Sequence, residues 1–283
     1  PPPAPRTPGA DPVIELPRRT AHGAGSWTAW FPSGRPGPGA LTGHVRRTGV
    51  GRVWADRPQG PRAAAVGCAG YVLLGGDPGA VDPGGLAPLA HSYVTAPDRF
   101  LPVLAAAFDR IVPWERMVWV GGEPATAPPP DPAVTVRPLT REDARSVREL
   151  GPAAAWIGDS WGGPLGLAAS GHCWGAFRDG RPLSLACTYF LGDPYEDIAV
   201  VTVPGERRRG LASACVGGLC ADIAARGRTP SWTCSRDNEP SRRLAAKAGF
   251  RLVREYVHYA VGAPAAGASS PPPRGIFNSP YVA

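Results

Sequence analysis

Lysine is all but missing from this chain. Lys247 is the only one, so nearly all of the positive contribution to a formal charge of +7 is arginine. Arginine in place of lysine, beside abundant Ala, Gly and Pro, is the usage of a GC-rich genome, which accounts for part of the basic character. No basic cluster interleaves with aromatics along a groove-like strand face, so no nucleic-acid partner is expected. No apolar run approaches the ~20 residues that span a bilayer. The Pro-rich start lacks the apolar core of a secretory leader. Neither a membrane nor export is expected. The six cysteines, Cys68, Cys173, Cys187, Cys215, Cys220 and Cys234, are dispersed without metal-ligand spacing. No metal is expected of them; they read as small buried hydrophobes in a reducing cytoplasm.

Proline and glycine are abundant, at 36 and 37 of 283 residues, and proline gathers in three places. Residues 1–12 and 263–283 are rich in Pro, Ala, Gly and Ser and are expected to be disordered. Residues 124–132, ending Pro128-Pro129-Pro130-Asp131-Pro132, read as a stiff linker. A hydrophobic content of 43% allows a core on each side of it. The domains expected are 13–123 and 133–262.

The second of these reads clearly. Val134 to Leu139 is a strand, and Thr140-Arg141-Glu142-Asp143 is a capping-box-like start for a helix to about Leu150. A Gly/Trp-rich loop or broken helix covers Trp156 to Gly171. Strands follow at Cys173–Phe177 and Leu183–Phe190, around an Asp179-Gly180 turn, and then at Glu196–Val203. Leu211 to Ala225 has the apolar period of a helix. Ser231 to Ser235 is a short strand. Pro240 near its start and Gly249 past its end frame a short helix, and Phe250 to Val261 is the last strand. The order β-α-ββ-β-α-β-α-β describes an α/β fold, a mixed sheet with helices on its faces.

Two of these junctions carry chemistry. Arg207-Arg208-Arg209-Gly210-Leu211-Ala212 joins a strand to a helix start, where N–H groups lack intrahelical partners and the dipole is positive. Small residues at Gly210 and Ala212 let a diphosphate approach those groups. The second is Asn238-Glu239-Pro240-Ser241, followed by Leu244, Lys247 and Gly249-Phe250. Together, in this order and spacing, they resemble the GNAT superfamily of acyl-CoA N-acyltransferases, over about Val134 to Val261.

The resemblance implies a GNAT fold for the C-terminal half, with acetyl-CoA or another acyl-CoA as co-substrate. It implies that the pyrophosphate meets Arg207, Arg208, Arg209, Gly210, Leu211, Ala212 and Ser213. The rest of the cofactor would lie along Val201, Thr202 and Val203, with Asn238, Ser241 and Lys247 beside it. The family's backbone donor to the thioester carbonyl would fall at about Val203. Its acceptor-side loop would contain Trp156, Asp159, Ser160 and Trp161, with Tyr189 and Tyr195 as further acceptor contacts. The tyrosine that many members use to protonate the leaving thiolate is replaced by Ala245; Tyr189, Tyr195 and Tyr256 are the substitutes at hand.

The first half looks like a decayed copy. Val94-Thr95-Ala96-Pro97 lines up with Val201-Thr202-Val203-Pro204, and Tyr71 to Pro78 echoes Tyr189 to Pro194. That alignment sets Phe100, Leu101, Pro102 and Val103 at the phosphate-loop positions. Pro102 has no N–H and Val103 adds bulk, so no CoA is expected in this half.

Amide formation needs the acyl donor held beside an amine, an acceptor for the amine's proton, and donors for the developing oxyanion. Glu196 and Asp197 open the central strand and face opposite ways; Asp197 is the favoured base and Glu196 the second. The expected reaction moves acetyl from acetyl-CoA to an amine of a small molecule by direct attack in a ternary complex. The alternatives are a longer acyl-CoA, an acyl carrier protein as donor, and a non-catalytic CoA-sensing or protein-binding module. A monomer or homodimer is expected.

Overall fold

The computed structural model describes residues 13–17, 26–31, 34–121 and 131–265. The disorder expected at 1–12 lies outside the described residues, as does that at 263–283 apart from 263–265. The linker expected at 124–132 is likewise undescribed except for residues 131–132. The described chain forms two compact units, one of residues 13–31, 45–115 and 257–265, the other of 34–44 and 116–256.

The first unit contains β1 (Ile14–Glu15), the end of helix α1 (Ala40–Thr48), β2 (Arg52–Ala55), β3 (Ala63–Cys68), β4 (Tyr71–Gly76), β5 (Tyr93–Thr95) and helix α2 (Leu101–Ala107). Strand β6 (Ile111–Gly121) begins in this unit and ends in the other. The sheet order is β1-β2-β3-β4-β5, completed by the end of the chain's last strand, where Tyr259 and Ala260 pair with Val94 and Tyr93. Ala69 and Gly70 turn the β3–β4 hairpin with φ of 52° and 78°, the left-handed pair that a two-residue turn requires. Val72, Leu74, Leu86, Val94, Phe100, Leu104 and Val261 share one core.

The second unit contains β7 (Thr135–Pro138), α3 (Ala144–Arg148), α4 (Pro164–Ala169), β8 (Cys173–Arg178), β9 (Arg181–Leu191), β10 (Tyr195–Thr202), α5 (Leu211–Ala225), β11 (Thr229–Ser235), α6 (Glu239–Lys247) and most of β12 (Phe250–Val261). Thr140 and Asp143 make the expected reciprocal capping box before α3. Asp179 and Gly180, with φ of 50° and 75°, turn the β8–β9 hairpin. The Trp156 to Gly171 stretch is a broken helix, a 3-10 segment at Pro152–Trp161 followed by α4. The sheet runs β6-β11-β10-β9-β8-β7, antiparallel except for the parallel β10–β11 pair. Ile198 and Trp232 turn one face of that pair toward Cys215, Leu219 and Ile223 of α5. At ~1.5–3 kcal/mol for each large apolar side chain buried, this core holds helix and sheet together.

The first half does repeat the second, but not in the register expected. Its one parallel pair is β4–β5, with Val72 opposite Val94. Topologically β4 therefore matches β10, and β5 matches β11. Val94-Thr95 lies on the counterpart of β11, and Phe100 to Val103 opens the counterpart of α6. The phosphate-loop counterpart is the segment after β4. There Asp77 accepts from the Gly79 N–H and pairs with Arg62.

Candidate active site

Beyond Ile198 and Trp232 the parallel pair has no further partners, although β10 continues to Thr202 and β11 to Ser235. The two strands part, and β10 presents an unpaired backbone edge in the gap. Pairing with β9 decides which groups face it. The Val203 N–H donates to the Leu183 carbonyl at 2.9 Å, so it points into the sheet. Alternation then turns the N–H groups of Val200 and Thr202 toward the gap. The donor expected at Val203 is thus engaged elsewhere, and the nearest N–H facing the gap is that of Thr202.

The gap leads to the N-terminus of α5. Gly210, with φ 78° and ψ −5°, precedes the first helical residue, and Arg208 is also left-handed at φ 62°. The helix has no side-chain cap and no acidic residue in its first turn. The first bond into it runs from the Ala214 N–H to the Gly210 carbonyl. Among the described residues, no partner is recorded for any N–H from Arg208 to Ser213. Six successive donors at a positive helix end make an anion cradle. A Cβ on Gly210 would meet nothing within 4 Å, so the approach is open. Arg207, Arg208 and Arg209 are exposed around it, Arg209 also reaching Glu206 at 3.3 Å.

The second element has work of its own. Asn238 caps α6 by accepting from the Ser241 N–H at 3.1 Å, and Ser241 Oγ accepts from the Trp232 indole at 3.0 Å. Both fix the entry of α6 beside β11. Lys247 is exposed in the last turn. Ala245 is fully buried in the core, so this position has neither a hydroxyl nor access to solvent.

Of the two carboxylates, Glu196 is held in a structural network. It accepts from Thr188, from Arg226 at 2.9 and 3.1 Å and from Arg228 at 3.0 Å, with His172 at 3.7 Å. Burial alone would raise its pKa; the bonds from Arg226, Thr188 and Arg228 outweigh that and hold it below the ordinary value. It ties β10 to the C-terminal end of α5 and has no oxygen left for a substrate.

Asp197, 6% exposed, is on the other face, opposite Phe190 of β9. Ser231 and Thr233 of β11 both donate to its Oδ1, at 2.8 and 3.1 Å, while Oδ2 has no hydrogen-bond partner among the described residues. Burial pushes its pKa up to about 6, against the pull of Ser231, Thr233 and the Arg116 charge. A carboxyl poised there, with one oxygen held and one open, can accept a proton near neutral pH.

The acceptor-side residues divide. The Trp161 indole donates to the Thr188 carbonyl at 2.8 Å and stacks on His172, anchoring the 3-10 segment to β9. Trp156 packs against Tyr189, which is buried, and Asp159 is exposed with its carboxyl raised by partial desolvation. Tyr195 pairs with Thr229 at the closed end of the β10–β11 pair and is not brought to the gap. Sequence reasoning missed His44. Its Nδ1 accepts from the Leu191 N–H at 3.0 Å and its Nε2 is 2.7 Å from the Ser160 carbonyl, so the ring is a neutral Nε2–H tautomer that donates there. Burial lowers its pKa to about 4. It joins α1, β9 and the 3-10 segment as a clamp, a role to which no local motif points.

The model of the GNAT acetyltransferase family matches residues 130–259. An uncharacterised N-acetyltransferase of Streptomyces virginiae, from the mutA 5′ region, is 58% identical over 215 residues, 76% of this chain and 90% of that protein. A GCN5-related N-acetyltransferase-like protein from Streptococcus suis superimposes with a TM-score of 0.57 at 18% identity, covering 75% of this chain and 88% of that one. A tandem GNAT protein from the clavulanic acid biosynthesis pathway superimposes with a TM-score of 0.53 at 15% identity, covering 87% and 97%.

Proposed function

The chain belongs to the GNAT acetyltransferase family, and on that premise we propose that it transfers acetyl from acetyl-CoA to an amine of a small molecule, by direct attack with both bound. The observation that carries the reading is the gap between β10 and β11 ending on the unpartnered N–H groups of Arg208 to Ser213. That cradle and the exposed arginines fit a diphosphate, and the open edge of β10 fits an amide-bearing arm that hydrogen-bonds like a strand. Acetyl-CoA supplies the activated acyl group as a thioester.

The chain's own residues do the rest. Arg208 to Ser213 bind and orient the donor, and the Thr202 N–H faces the gap where an oxyanion would develop. Asp197 Oδ2 takes a proton from the bound ammonium, and the neutral amine so formed attacks the thioester carbonyl; the C–S bond breaks as the C–N bond forms. With Ala245 buried, no side chain is assigned to protonate the leaving thiolate, which is a tolerable leaving group without one. The cytoplasm is the compartment assigned, supported by six free cysteines. Burial raises Cys215 and Cys220 to about 12, which leaves them protonated and inert.

The test is thiol release from acetyl-CoA across a panel of primary amines. Amine-dependent release is expected. Asp197→Asn should lower it by about two to four powers of ten, the usual scale for a lost general base, with acetyl-CoA affinity nearly unchanged. Gly210→Val, checked for folding because its left-handed backbone strains a branched residue, should weaken acetyl-CoA binding more than about tenfold. Binding that survives Gly210→Val would remove the cradle from the reading. Binding without release on any amine would remove the catalysis.

A further inference from the structure

Asp197 does not stand alone on its face of the sheet. Its Oδ1 receives two hydroxyls, and behind one of them stands a backbone amide from far away in sequence: the Gly37 N–H donates to Ser231 Oγ at 3.1 Å. A serine hydroxyl has one proton to give. With Gly37 filling an acceptor site, that proton is directed to Asp197 Oδ1 at 2.8 Å; the alternative acceptor, the Glu196 carbonyl, is 3.5 Å away. Ser231 is fully buried, so water does not compete for the bond. Gly37 is held in turn. It has φ 75°, and a Cβ there would meet Val118 at 2.9 Å and Thr233 Oγ1 at 3.0 Å, so only glycine fits against this face unshifted.

We infer that Ser231 is a positioning residue, oriented by Gly37 and assisted by Thr233, that saturates Oδ1 of Asp197 and so leaves Oδ2 as the oxygen that receives the proton. The inference rests on the reading of Asp197 as the base. It gives the first-half segment around Gly37 a part in the chemistry of the second half. The groups facing Asp197 from the neighbouring elements are few. β6 brings the Arg116 guanidinium, β11 brings the two hydroxyls, β9 brings Phe190, and the 34–40 segment brings the Gly37 amide.

Removing a donor from a carboxylate favours its neutral form. Ser231→Ala should therefore move the Asp197 titration, read by carboxyl ¹³C NMR in the full chain, upward by about one pH unit. Thr233→Val should move it in the same direction by less. The acid limb of kcat/KM should move with the NMR midpoint, while KM for acetyl-CoA stays within about twofold. Titration and acid limb unmoved in both folded variants, with Asp197→Asn inactive, would overturn the positioning role and leave the base intact. Full activity in Asp197→Asn would overturn the base, and the inference with it.

Discussion

Asp197 and Glu196 are neighbours in sequence with opposite linkage to stability. Asp197 titrates at about 6 when folded and at 3.8 when not. As pH rises from about 4 to 6 the unfolded chain releases this proton first, so the native state loses stability. Above 6 the penalty levels off at about 3 kcal/mol. Asp197→Asn should therefore melt above the wild type at pH 8, with the gap closing by pH 4. Glu196→Gln should do the reverse at neutral pH, costing about 3 kcal/mol, because Arg226 and Arg228 lose their counter-charge. Its effect should appear in the melt, with kcat per folded molecule nearly preserved. Thermal melts at both pH values check the pair. That the two side chains face opposite ways was legible from the pleat alone. That Val203 faces inward was not, because the direction of an N–H depends on which residue of β9 lies opposite. His44 was equally hidden, since its partners, Ser160 and Leu191, are more than a hundred residues away.

Elements fared better than contacts in the sequence. Leu211–Ala225 and Phe250–Val261 have the bounds their periodicity and punctuation predicted. Gly210 just before the helix and Gly249 just before the strand act locally. The internal repeat was visible but misaligned, because the Val-Thr-x-Pro match lies on strands of different rank. Only the parallel pairing of β4 with β5 sets it right. The expectation of no CoA in the first half consequently stands on another loop. There Asp77 occupies the Gly79 amide, and Pro78 and Pro83 lack N–H groups. Calorimetric titration with acetyl-CoA should saturate at one equivalent per chain. A second equivalent, lost on changes around Asp77, would contradict this.

At the scale of the whole molecule, the compact units and the halves of the sequence do not coincide. The sheet of the second unit includes β6, whose Arg116 to Val120 pair with Ser235 to Ser231 of β11. That of the first unit ends in the last residues of β12. A fragment of residues 131–265 would leave β11 with an open backbone edge and Ser231 without Gly37. Such a fragment should aggregate or fail to bind acetyl-CoA, while the full chain binds it; size-exclusion chromatography and calorimetry on both decide. Composition suggested a boundary at the Pro-rich stretch before Ala133, most of which lies outside the described residues. The exchange of strands was not legible, because pairing partners that far apart leave no periodic trace in sequence.

β6 also bears on how such a chain changes over generations. A duplicated gene ordinarily sheds the copy that has lost its activity, since deletion costs the organism nothing. Here the first half of the sequence encodes the strand beside β11 and the glycine whose N–H meets Ser231. Its outright loss should therefore disable the enzyme, as the fragment of residues 131–265 would test. Selection on catalysis would then preserve the first half even with no ligand of its own.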